Sequence, residues 1–301
     1  MIKNVEYPYY KLYISKKLNN GALDYFSKLV RSSQERILVL YNEQNKPIGC
    51  AILLLKDGSD RVELSYIFIK EDSRNKGYGN DLFNASFDWA CKLKKDLTLR
   101  IQDINSCKEI LLHMLEKRNA NPIDTSYVYQ HYINEETKRQ WQTVLDKNFV
   151  RIKNFLEAQG FDCTSFEKSD SKILEEIYFE KKFDDRYDPN EIFQGNFGPF
   201  LPSYSFVSSK NGKSAALIMA IESDKESVVS QLISVTEKYK KSGAVLLCII
   251  KFMGKAFDSK YKKIGYCVSS NNSQMLRVVG DTFQKIKYIK IKQSRYLIKH
   301  L

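Results

Sequence analysis

The sequence predicts an α/β protein made of two tandem copies of one domain, each with a mixed, mostly antiparallel sheet flanked by helices. Segments with strand-like alternation are interleaved with segments of helical apolar spacing, which is typical of this class. The two halves also match at a constant offset, since 215 − 51 = 164, and the paired residues are identical. The pairs are Ala51 with Ala215, Leu53 with Leu217, Ile69 with Ile233, Gly79 with Gly243 and Leu82 with Leu246. We therefore expect domains over residues 1–145 and 146–301.

The first half alternates between helices and strands. Asp57-Gly58 is typical of a hairpin turn between two of its strands. Two closely spaced glycines, Gly77 and Gly79, precede a segment with apolar residues on one helical face. In order, we predict a helix over 22–30, strands over 36–41, 48–55 and 61–69, a helix over 78–94, a strand over 97–101, a helix over 106–117 and a strand over 125–133.

The second half repeats this order after a polar, helix-forming segment over 134–158 that we predict to be a linker helix. Asn211-Gly212 marks a hairpin turn, and residues 184–202 are rich in Asp, Asn, Gly and Pro, as in a long loop. We predict strands over 204–208, 214–221 and 228–235, a helix over 243–257, a strand over 264–268, a helix over 273–283, and a closing hairpin of 285–291 with 294–298.

The composition is that of a globular protein, with 301 residues of which 43% are hydrophobic. Apolar runs such as 50–55 are shorter than the about 18 to 20 residues of a membrane span, and the N-terminal residues lack the apolar stretch of a signal peptide. The six cysteines are scattered and the three histidines are far apart in sequence, so we expect reduced thiols and no metal site. These features favour a soluble cytoplasmic protein without a membrane partner.

The net charge is +12, with basic clusters around 238–263 and 285–299. A basic surface attracts phosphate groups of any kind, whether they belong to a nucleotide, a cofactor or a nucleic acid. Lysine-rich solvated faces produce the same surplus, so charge by itself identifies no partner.

The most informative segment is Arg74-x-x-Gly77-x-Gly79, which follows a strand and opens a helix. Glycines permit positive φ angles and close approach of a ligand to the backbone. Successive N–H groups at a helix N-terminus bind anions, and Arg74 and Lys76 add positive charge. The pattern therefore predicts a site for a diphosphate.

This spacing, with a strand before it and a Leu82-containing helix after it, resembles the acyl-CoA signature of the GNAT superfamily of N-acetyltransferases. The order of elements over residues 20–133 is similar to that family's fold as well. The resemblance implies that the backbone of Phe68 and Ile69 pairs with the pantetheine arm. It further implies that the thioester lies in a V-shaped gap between strands 61–69 and 97–101. The pyrophosphate would be held by Arg74, Asn75, Lys76, Gly77, Tyr78 and Gly79, with Asn105 near the thiol end.

Glu63 lies eleven residues before Arg74, where several members of the superfamily place a glutamate base. On an alternating strand it would share a face with Ser65, Ile67 and Ile69, and partial burial would raise its pKa toward neutrality. The alternative is an ordinary salt-bridged strand residue opposite Arg61 or a lysine.

Two features depart from the family pattern. The tyrosine that often protonates the leaving thiolate is replaced by Leu115, and we considered His113, Tyr127 and Tyr129 as substitutes. Tyr127, Tyr129 and His131 alternate along one strand, where they either line an acceptor pocket or form a packed face. The general acid is thus unassigned.

In the second copy, the 164-residue offset aligns the loop with Lys238-x-x-Lys241-x-Gly243. A lysine in place of the first glycine would obstruct a diphosphate, and Ser227 would stand at the position of Glu63. The second copy is therefore interpreted as degenerate, with a structural role or a contribution to the acceptor site.

The resemblance implies an acetyl-CoA-dependent N-acetyltransferase whose N-terminal domain is catalytic and needs no metal. We expect a small amine-bearing acceptor and no nucleic-acid partner; the oligomeric state is left open. Two other functions are compatible with parts of the sequence. One is a non-catalytic acyl-CoA-binding protein, which the missing tyrosine favours. The other is a transferase using aminoacyl-tRNA, which the basic second half would suit but the intact first loop opposes.

Overall fold

The structure is a computed structural model that describes residues 1–5, 35–55, 59–105, 107–179, 192–193 and 198–300. The strands are β1 (Ile2–Val5), β2 (Glu35–Tyr41), β3 (Pro47–Leu55), β4 (Arg61–Ile69), β5 (Asp96–Gln102), β6 (Asn121–Tyr132), β7 (Phe161–Ser165), β8 (Phe206–Lys210), β9 (Lys213–Asp224), β10 (Ser227–Val235), β11 (Lys263–Ser269) and β12 (Ile289–Ile298). The α-helices are α1 (Tyr78–Lys92), α2 (Lys108–Glu116), α3 (Glu135–Val144), α4 (Val150–Ala158), α5 (Ser171–Phe179), α6 (Ala244–Phe257) and α7 (Ser273–Asp281). Among the helices of these described ranges, none is long and apolar enough to cross a membrane.

The chain divides into two compact units. Unit 1 comprises Met1–Ser126 together with Ile291–Leu301, and unit 2 comprises Tyr127–Lys290. The division points fall inside β6 and β12, so the last strand of the chain contributes to the first unit. These units are defined by packing, and the division into sequence domains at residues 145 and 146 stays a prediction.

Unit 1 is a mixed sheet in the order β1, β2, β3, β4, β5, β12. Neighbouring strands are antiparallel except for β4 and β5, which are parallel. Alternate residues of the strands pack against α1 and α2 in one apolar core, which includes Leu64, Leu82, Leu99 and Leu115. Parallel strands require a crossover connection, and α1 provides it between β4 and β5.

Unit 2 repeats this arrangement with strand order β6, β11, β10, β9, β8, β7. Both faces of the central strand β9 are buried. Ala216, Ile218 and Ala220 join the core that contains α6, whereas Leu217 and Met219 join a second cluster with residues of α5. As in unit 1, only one pair of these neighbours with a recorded register, β10 with β11, is parallel.

The parallel pair in each unit separates at a β-bulge. In unit 1, Ile52 pairs with Tyr66 and Leu53 with Leu64, so Ser65 is the extra residue, and the ladder with β5 ends at Leu64 and Leu99. In unit 2, Ser230 pairs with Ala220 and Leu232 with Met219, so the extra residue is Gln231. The ladder with β11 ends at Ser230 and Tyr266. A bulge bends its strand and raises the local twist, which leaves a gap between the diverging strands.

The two units correspond at an offset of 166 residues, and the expected offset of 164 is wrong. The glycines before α1 and α6 have the same left-handed conformation, with φ 82° at Gly77 and at Gly243, and 243 − 77 = 166. The same 166 residues separate the two bulged residues. They also separate the two short 3₁₀ turns, Glu71–Ser73 and Glu237–Tyr239. Matching identical residues misplaced the repeat because Gly79 and Gly243 are identical in type but not in position.

The corrected register changes three comparisons between the copies. Gly243 corresponds to Gly77, so the second loop keeps the glycine that precedes its helix. Lys241 corresponds to Asn75, and the expectation that a lysine replaces the first glycine is wrong. The residue at the position of Glu63 is Val229, rather than Ser227.

Most elements of the described ranges lie where the sequence predicts them, with ends shifted by a few residues. The turn at Asn211-Gly212 is confirmed, with φ 53° and 71°. The segment 135–158 is helical throughout, with a π-helical turn at Leu145–Phe149 between α3 and α4.

The prediction of a closing hairpin is wrong. Residues 289–298 form one continuous strand, in which Gln293 pairs with Gln102 of β5. The helix over 22–30, the Asp57-Gly58 turn and most of the 184–202 loop lie outside the described residues.

A buried hydrogen-bonded histidine lies in the core of unit 2. His131 is fully buried; its Nδ1 lies 3.2 Å from the Lys287 carbonyl oxygen and its Nε2 lies 3.1 Å from the Tyr266 hydroxyl. The carbonyl only accepts, so Nδ1–H donates to it and the Tyr266 hydroxyl donates to Nε2. Burial lowers the pKa of His131 to about 4, which keeps the ring neutral.

Neutral His131 makes the stability of unit 2 depend on pH. The unfolded chain takes up this proton below about pH 6.5 and the folded chain only near pH 4, so stability is complete above pH 6.5 and falls as the pH drops. We expect about 2 kcal/mol of this loss between pH 7.5 and pH 5. Urea denaturation at both pH values measures this loss of unfolding free energy. The loss should be smaller in His131→Gln than in the wild type, and it should be unchanged in His113→Gln, which replaces an exposed histidine. Equal losses in both variants would contradict the assignment.

Candidate functional site

The loop from β4 to α1 has two left-handed residues. It begins with the 3₁₀ turn Glu71–Ser73 and an extended Arg74, continues with Asn75 at φ 62° and Gly77 at φ 82°, and ends where α1 begins at Tyr78. Left-handed conformations reverse the direction of successive N–H groups and form concave anion sites. Asparagine and glycine are the residues that adopt them at least cost.

The N–H groups of Ser73 and Arg74 in this loop donate to the carbonyls of Lys70 and Glu71, and those of the residues that follow differ. Among the residues that the structure describes, none accepts a hydrogen bond from the backbone N–H groups of residues 75–79. Two of these groups belong to the first turn of α1, where the helix itself cannot satisfy them. Two basic side chains of the loop hydrogen-bond to backbone carbonyls that precede them in sequence. Arg74 Nε donates to the Ile69 carbonyl at 3.1 Å, and Lys76 Nζ donates to the Asp72 carbonyl at 3.2 Å. Both cations therefore stay near the open N–H groups.

The two glycines of the motif serve different purposes. A Cβ atom on Gly77 would meet nothing within 4 Å, so the glycine is required by its φ angle, and the space beside it is open. A Cβ on Gly79 would lie 3.8 Å from Met114 Cε and 3.9 Å from Ile69 Cγ1, which are ordinary contacts. A side chain at position 77 would therefore extend into the open space in front of the loop.

The predicted V-shaped gap is present in unit 1. Beyond Leu64 and Leu99 the recorded ladder between β4 and β5 stops, while β4 continues to pair with β3 as far as Ile69. Phe68 and Ile69 therefore have one edge of their backbone turned toward the gap, directly before the loop. Their position fits an extended ligand that runs from the loop toward the vertex at Leu64.

Glu63 lies next to the vertex of this gap, but on a different face from the one expected. Val62 and Leu64 belong to the core beneath α1, and Ile67 and Ile69 pack against the same core. The extra residue Ser65 reverses the alternation, so Glu63 shares its face with Tyr66 and Phe68, and the expected shared face with Ile67 and Ile69 is wrong.

The partner of Glu63 is Arg100 on β5, with 3.8 Å between Glu63 Oε1 and Arg100 Nε. Both side chains are about one-third exposed. This is the salt-bridged alternative with a partner other than Arg61. An exposed pair of this kind contributes about 0 to 1 kcal/mol to stability, so it leaves the carboxylate available for another role.

Asn105 lies in the loop between β5 and α2, three residues before the helix begins at Lys108. Its backbone N–H donates to the Gln102 carbonyl at 3.1 Å and its carbonyl accepts from the Lys108 N–H at 3.0 Å. The side chain is partly exposed, and no recorded hydrogen bond joins its amide to another described residue. Asn105 thus follows β5, the strand that borders the gap, and has a partly exposed side chain.

The residues predicted as substitutes for the missing tyrosine lie in different surroundings. Leu115 is buried in the core of unit 1, and His113 is exposed on α2. Tyr129 is buried and stacks on Tyr266 with ring centroids 5.3 Å apart, so the packed-face alternative applies to it and to His131. Burial raises the pKa of Tyr129. Tyr127 is partly exposed, with Lys290 Nζ 4.2 Å from its ring centroid.

The sequence reasoning missed Ser65 and Arg100. A bulge leaves no signature in a single strand, because it is defined by pairing with a neighbour. Arg100 is identified only by the register of β4 against β5. Within the described ranges, no group of three or more His, Cys, Asp or Glu side chains is arranged to hold a metal ion.

The comparisons with known proteins agree with this geometry. Residues 5–107, which include β4, the loop and α1, match the model of the Acetyltransferase (GNAT) family. Over these residues the chain is similar to the GNAT acetyltransferases. No curated protein sequence matches the chain.

Solved structures resemble the whole chain in fold. A tandem GNAT protein from the clavulanic acid biosynthesis pathway has TM-score 0.63 and 10% identity, with 91% of this chain and 86% of that chain covered. A GNAT-type N-acetyltransferase from Sphaerobacter thermophilus has TM-score 0.61 and 11% identity, with coverages of 93% and 85%. The glucosamine N-acetyltransferase region of a fungal multi-domain β-N-acetylglucosaminidase has TM-score 0.68 and 12% identity, covering 99% of this chain and 38% of that one. The chain thus has the fold of tandem GNAT proteins.

The different roles of Gly77 and Gly79 give a stability test of the loop between β4 and α1. Gly77→Ala should lower the free energy of unfolding by about 1 kcal/mol, because an L-residue is strained at φ 82°. Gly79→Ala should leave it unchanged or raise it slightly, since its Cβ fits and alanine favours a helix. Urea denaturation of both variants measures the difference, and equal effects would contradict the distinction.

Proposed function

We propose that the protein is an acetyl-CoA-dependent N-acetyltransferase whose GNAT domain in unit 1 is catalytic. The observation that carries the proposal is the gap between β4 and β5, which ends at a loop with open N–H groups. A ligand with a diphosphate at one end and an extended amide-bearing arm matches this combination. The match of residues 5–107 to the GNAT family model supports the acyl-transfer class of reaction.

In this proposal the N–H groups of residues 75–79 hold the diphosphate, with Arg74 and Lys76 adding positive charge. Helix N-termini and arrays of N–H groups favour such anions. The backbone of Phe68 and Ile69 hydrogen-bonds the arm as an added strand would, and the Asn105 amide lies toward the thiol end.

When bound, acetyl-CoA supplies an activated acyl group, and the chain has to place an amine against it. Holding the two reactants together contributes much of the rate acceleration. Glu63 accepts the proton that the amine loses as its nitrogen bonds to the acyl carbon and the carbon–sulfur bond breaks. Arg100 keeps the carboxylate oriented on its side of the sheet. The proton returned to the sulfur comes from a donor that we leave unassigned.

We propose a small amine as the acceptor. The fungal structural neighbour is described as a glucosamine N-acetyltransferase region, so amino sugars belong in a first panel of acceptors together with amino acids and polyamines.

A second candidate function is that of an acyl-CoA-binding protein without turnover. The observation that favours it is the pairing of Glu63 with Arg100, together with the buried Leu115 at the position of the usual tyrosine. Such a protein would bind the same ligand through the same loop, so binding and turnover have to be measured separately.

Binding is tested by calorimetric titration with acetyl-CoA. We expect Gly77→Glu to lose binding in unit 1, because its side chain would occupy the open space beside the loop and repel the diphosphate. Gly160→Glu is a matched control, since Gly160 has φ 80° and open space around its Cβ but lies in unit 2. Unchanged binding in Gly77→Glu would contradict the proposed site.

Turnover is tested with Glu63→Gln, which keeps the shape of the side chain but cannot accept a proton. We expect acetyl-CoA binding to stay intact and kcat to fall about 100-fold, the lower end of general-base contributions. Asp60→Asn removes an exposed carboxylate at the start of the same strand and should leave turnover unchanged. Normal turnover in Glu63→Gln would exclude Glu63 as the base.

A further inference from the structure

Two arginines lie directly opposite each other on neighbouring strands of unit 1. Arg100 of β5 is the Cα partner of Arg295 of β12 in their antiparallel ladder. Arg100 is also the first residue of β5 beyond the vertex, since the ladder with β4 ends at Leu64 and Leu99. Like charges directly opposite each other on one face of a sheet destabilise the strand pair. A compensating negative charge is therefore needed at this point.

Both arginines lie on the face of the sheet that carries Glu63. Their neighbours Leu99 and Tyr296 pack in the apolar core with α1 and α2. Because side chains alternate along a strand, Arg100 and Arg295 project from the opposite face. Glu63 lies on that opposite face as well. One acid and two bases thus occupy the same side of the sheet around the vertex.

One carboxylate does not balance two guanidinium groups. Glu63 Oε1 lies 3.8 Å from Arg100 Nε, whereas no described acidic residue forms an ion pair with Arg295. The acid of the adjacent strand β6, Asp124, also forms no ion pair within the described ranges. Arg295 is partly exposed, so its guanidinium is accessible to a small molecule. The three side chains at the vertex therefore retain one positive charge.

The next residue pair of this ladder, toward the open end of the gap, is polar as well. Gln102 is the Cα partner of Gln293, and Gln102 Nε2 donates to Gln293 Oε1 at 3.1 Å. The two amides follow the arginines on the same face, because each lies two residues further along its strand. An arginine pair and an amide pair thus form a short polar strip that borders the gap.

A planar carboxylate suits this arginine pair. Each guanidinium offers parallel N–H donors that match the two oxygens of a carboxylate. Opposite residues of an antiparallel pair have Cβ atoms about 4.5 to 5.5 Å apart, so one anion can contact both side chains. A neutral amine would leave the excess charge uncompensated, and a polyamine would be repelled by it.

We propose that the acceptor is a small amine that also carries a carboxylate, which makes amino acids the substrate class. The carboxylate binds Arg295 and Arg100, and the amino group lies beside Glu63 at the vertex. The acyl transfer is the one described above, with Glu63 taking the proton of the amine. The role of the amine rests on the function proposed for unit 1, whereas the anion site can be tested by binding alone.

The first experiment measures acetylation of matched amines by the full chain with acetyl-CoA. The panel contains the common amino acids, their carboxamides, glucosamine, glucosamine 6-phosphate and spermidine. We expect kcat/KM for the best amino acid to exceed that for its carboxamide about tenfold or more, because the carboxamide keeps the side chain but loses the charge. A preference for glucosamine 6-phosphate over every amino acid would overturn the carboxylate as the anion.

The second experiment removes the arginine that has no acidic partner. In Arg295→Gln, kcat/KM for the amino acid should fall about 10- to 100-fold through a higher KM, as for the loss of charge-assisted hydrogen bonds. The value for the carboxamide should change less than about twofold, and Arg295→Lys should recover part of the loss. Arg61→Gln is the matched control, because Arg61 is an exposed arginine of unit 1 at the end of β4 away from the gap.

Calorimetric titration with the same amino acid, in the presence of coenzyme A, tests the anion site without turnover. The wild type should bind the amino acid, and Arg295→Gln should bind it about 10- to 100-fold more weakly. Urea denaturation should show Arg295→Gln to be at least as stable as the wild type, because two like charges no longer face each other. Lower stability with unchanged binding would assign Arg295 a structural role and overturn the inference.

The outcomes separate this inference from the proposed function. Acetylation of glucosamine or spermidine in preference to every amino acid, with equal effects of Arg295→Gln and Arg61→Gln, would overturn the inference and leave the acetyltransferase intact. Binding of an amino acid that depends on Arg295, without acetylation of any amine, would support the anion site and overturn the catalytic function. Neither binding nor acetylation of an amino acid by the folded protein would overturn the anion site.

Discussion

One extra residue in a central strand determines the geometry of each unit. Ser65 in β4 and Gln231 in β10 interrupt the ladder with the antiparallel neighbour, and the parallel neighbour stops pairing at the residue just before the bulge. Two parallel strands that remained paired throughout would form a closed, buried sheet with no space for a ligand. The bulge opens the sheet at one end and simultaneously reverses which side chains face the helices.

The loop in unit 1 is tied to the strand that opens the gap. Arg74 Nε donates to the carbonyl of Ile69, the last residue of β4, so the direction in which β4 leaves the sheet also fixes the position of the loop. The positive φ angles at Asn75 and Gly77 then turn the N–H groups toward open space before α1 begins. A strand end, a loop and a helix start are thus connected by hydrogen bonds, and the open N–H groups and two cations lie in one short stretch of the chain.

The helices and strands could be predicted from local patterns. The pairing register of the strands and the alignment of the two copies could not. Helix α1 begins at Tyr78 as its glycines and apolar spacing indicated, and the Asn211-Gly212 turn is where two such residues require it. The face of Glu63 was wrong because a bulge exists only in relation to a neighbouring strand, and Ser65 is ordinary in sequence. The repeat offset was wrong for a related reason: residue identity aligned Gly79 with Gly243, while backbone conformation aligns Gly77 with Gly243. Arg100 was missed since no pattern in β5 distinguishes it.

The points where the parallel strands separate carry different side chains in the two units. In unit 1 the acidic residue Glu63 lies one residue before a vertex made of leucines, so a carboxyl group adjoins the end of an apolar gap. In unit 2 the vertex carries a hydroxyl, and the neighbouring position holds Val229, which packs in an apolar cluster. A hydroxyl without a nearby base can orient a carbonyl but cannot take a proton from an amine. Polar and apolar residues are thus exchanged between two adjacent positions, while the strands, the bulge and the left-handed glycine stay the same.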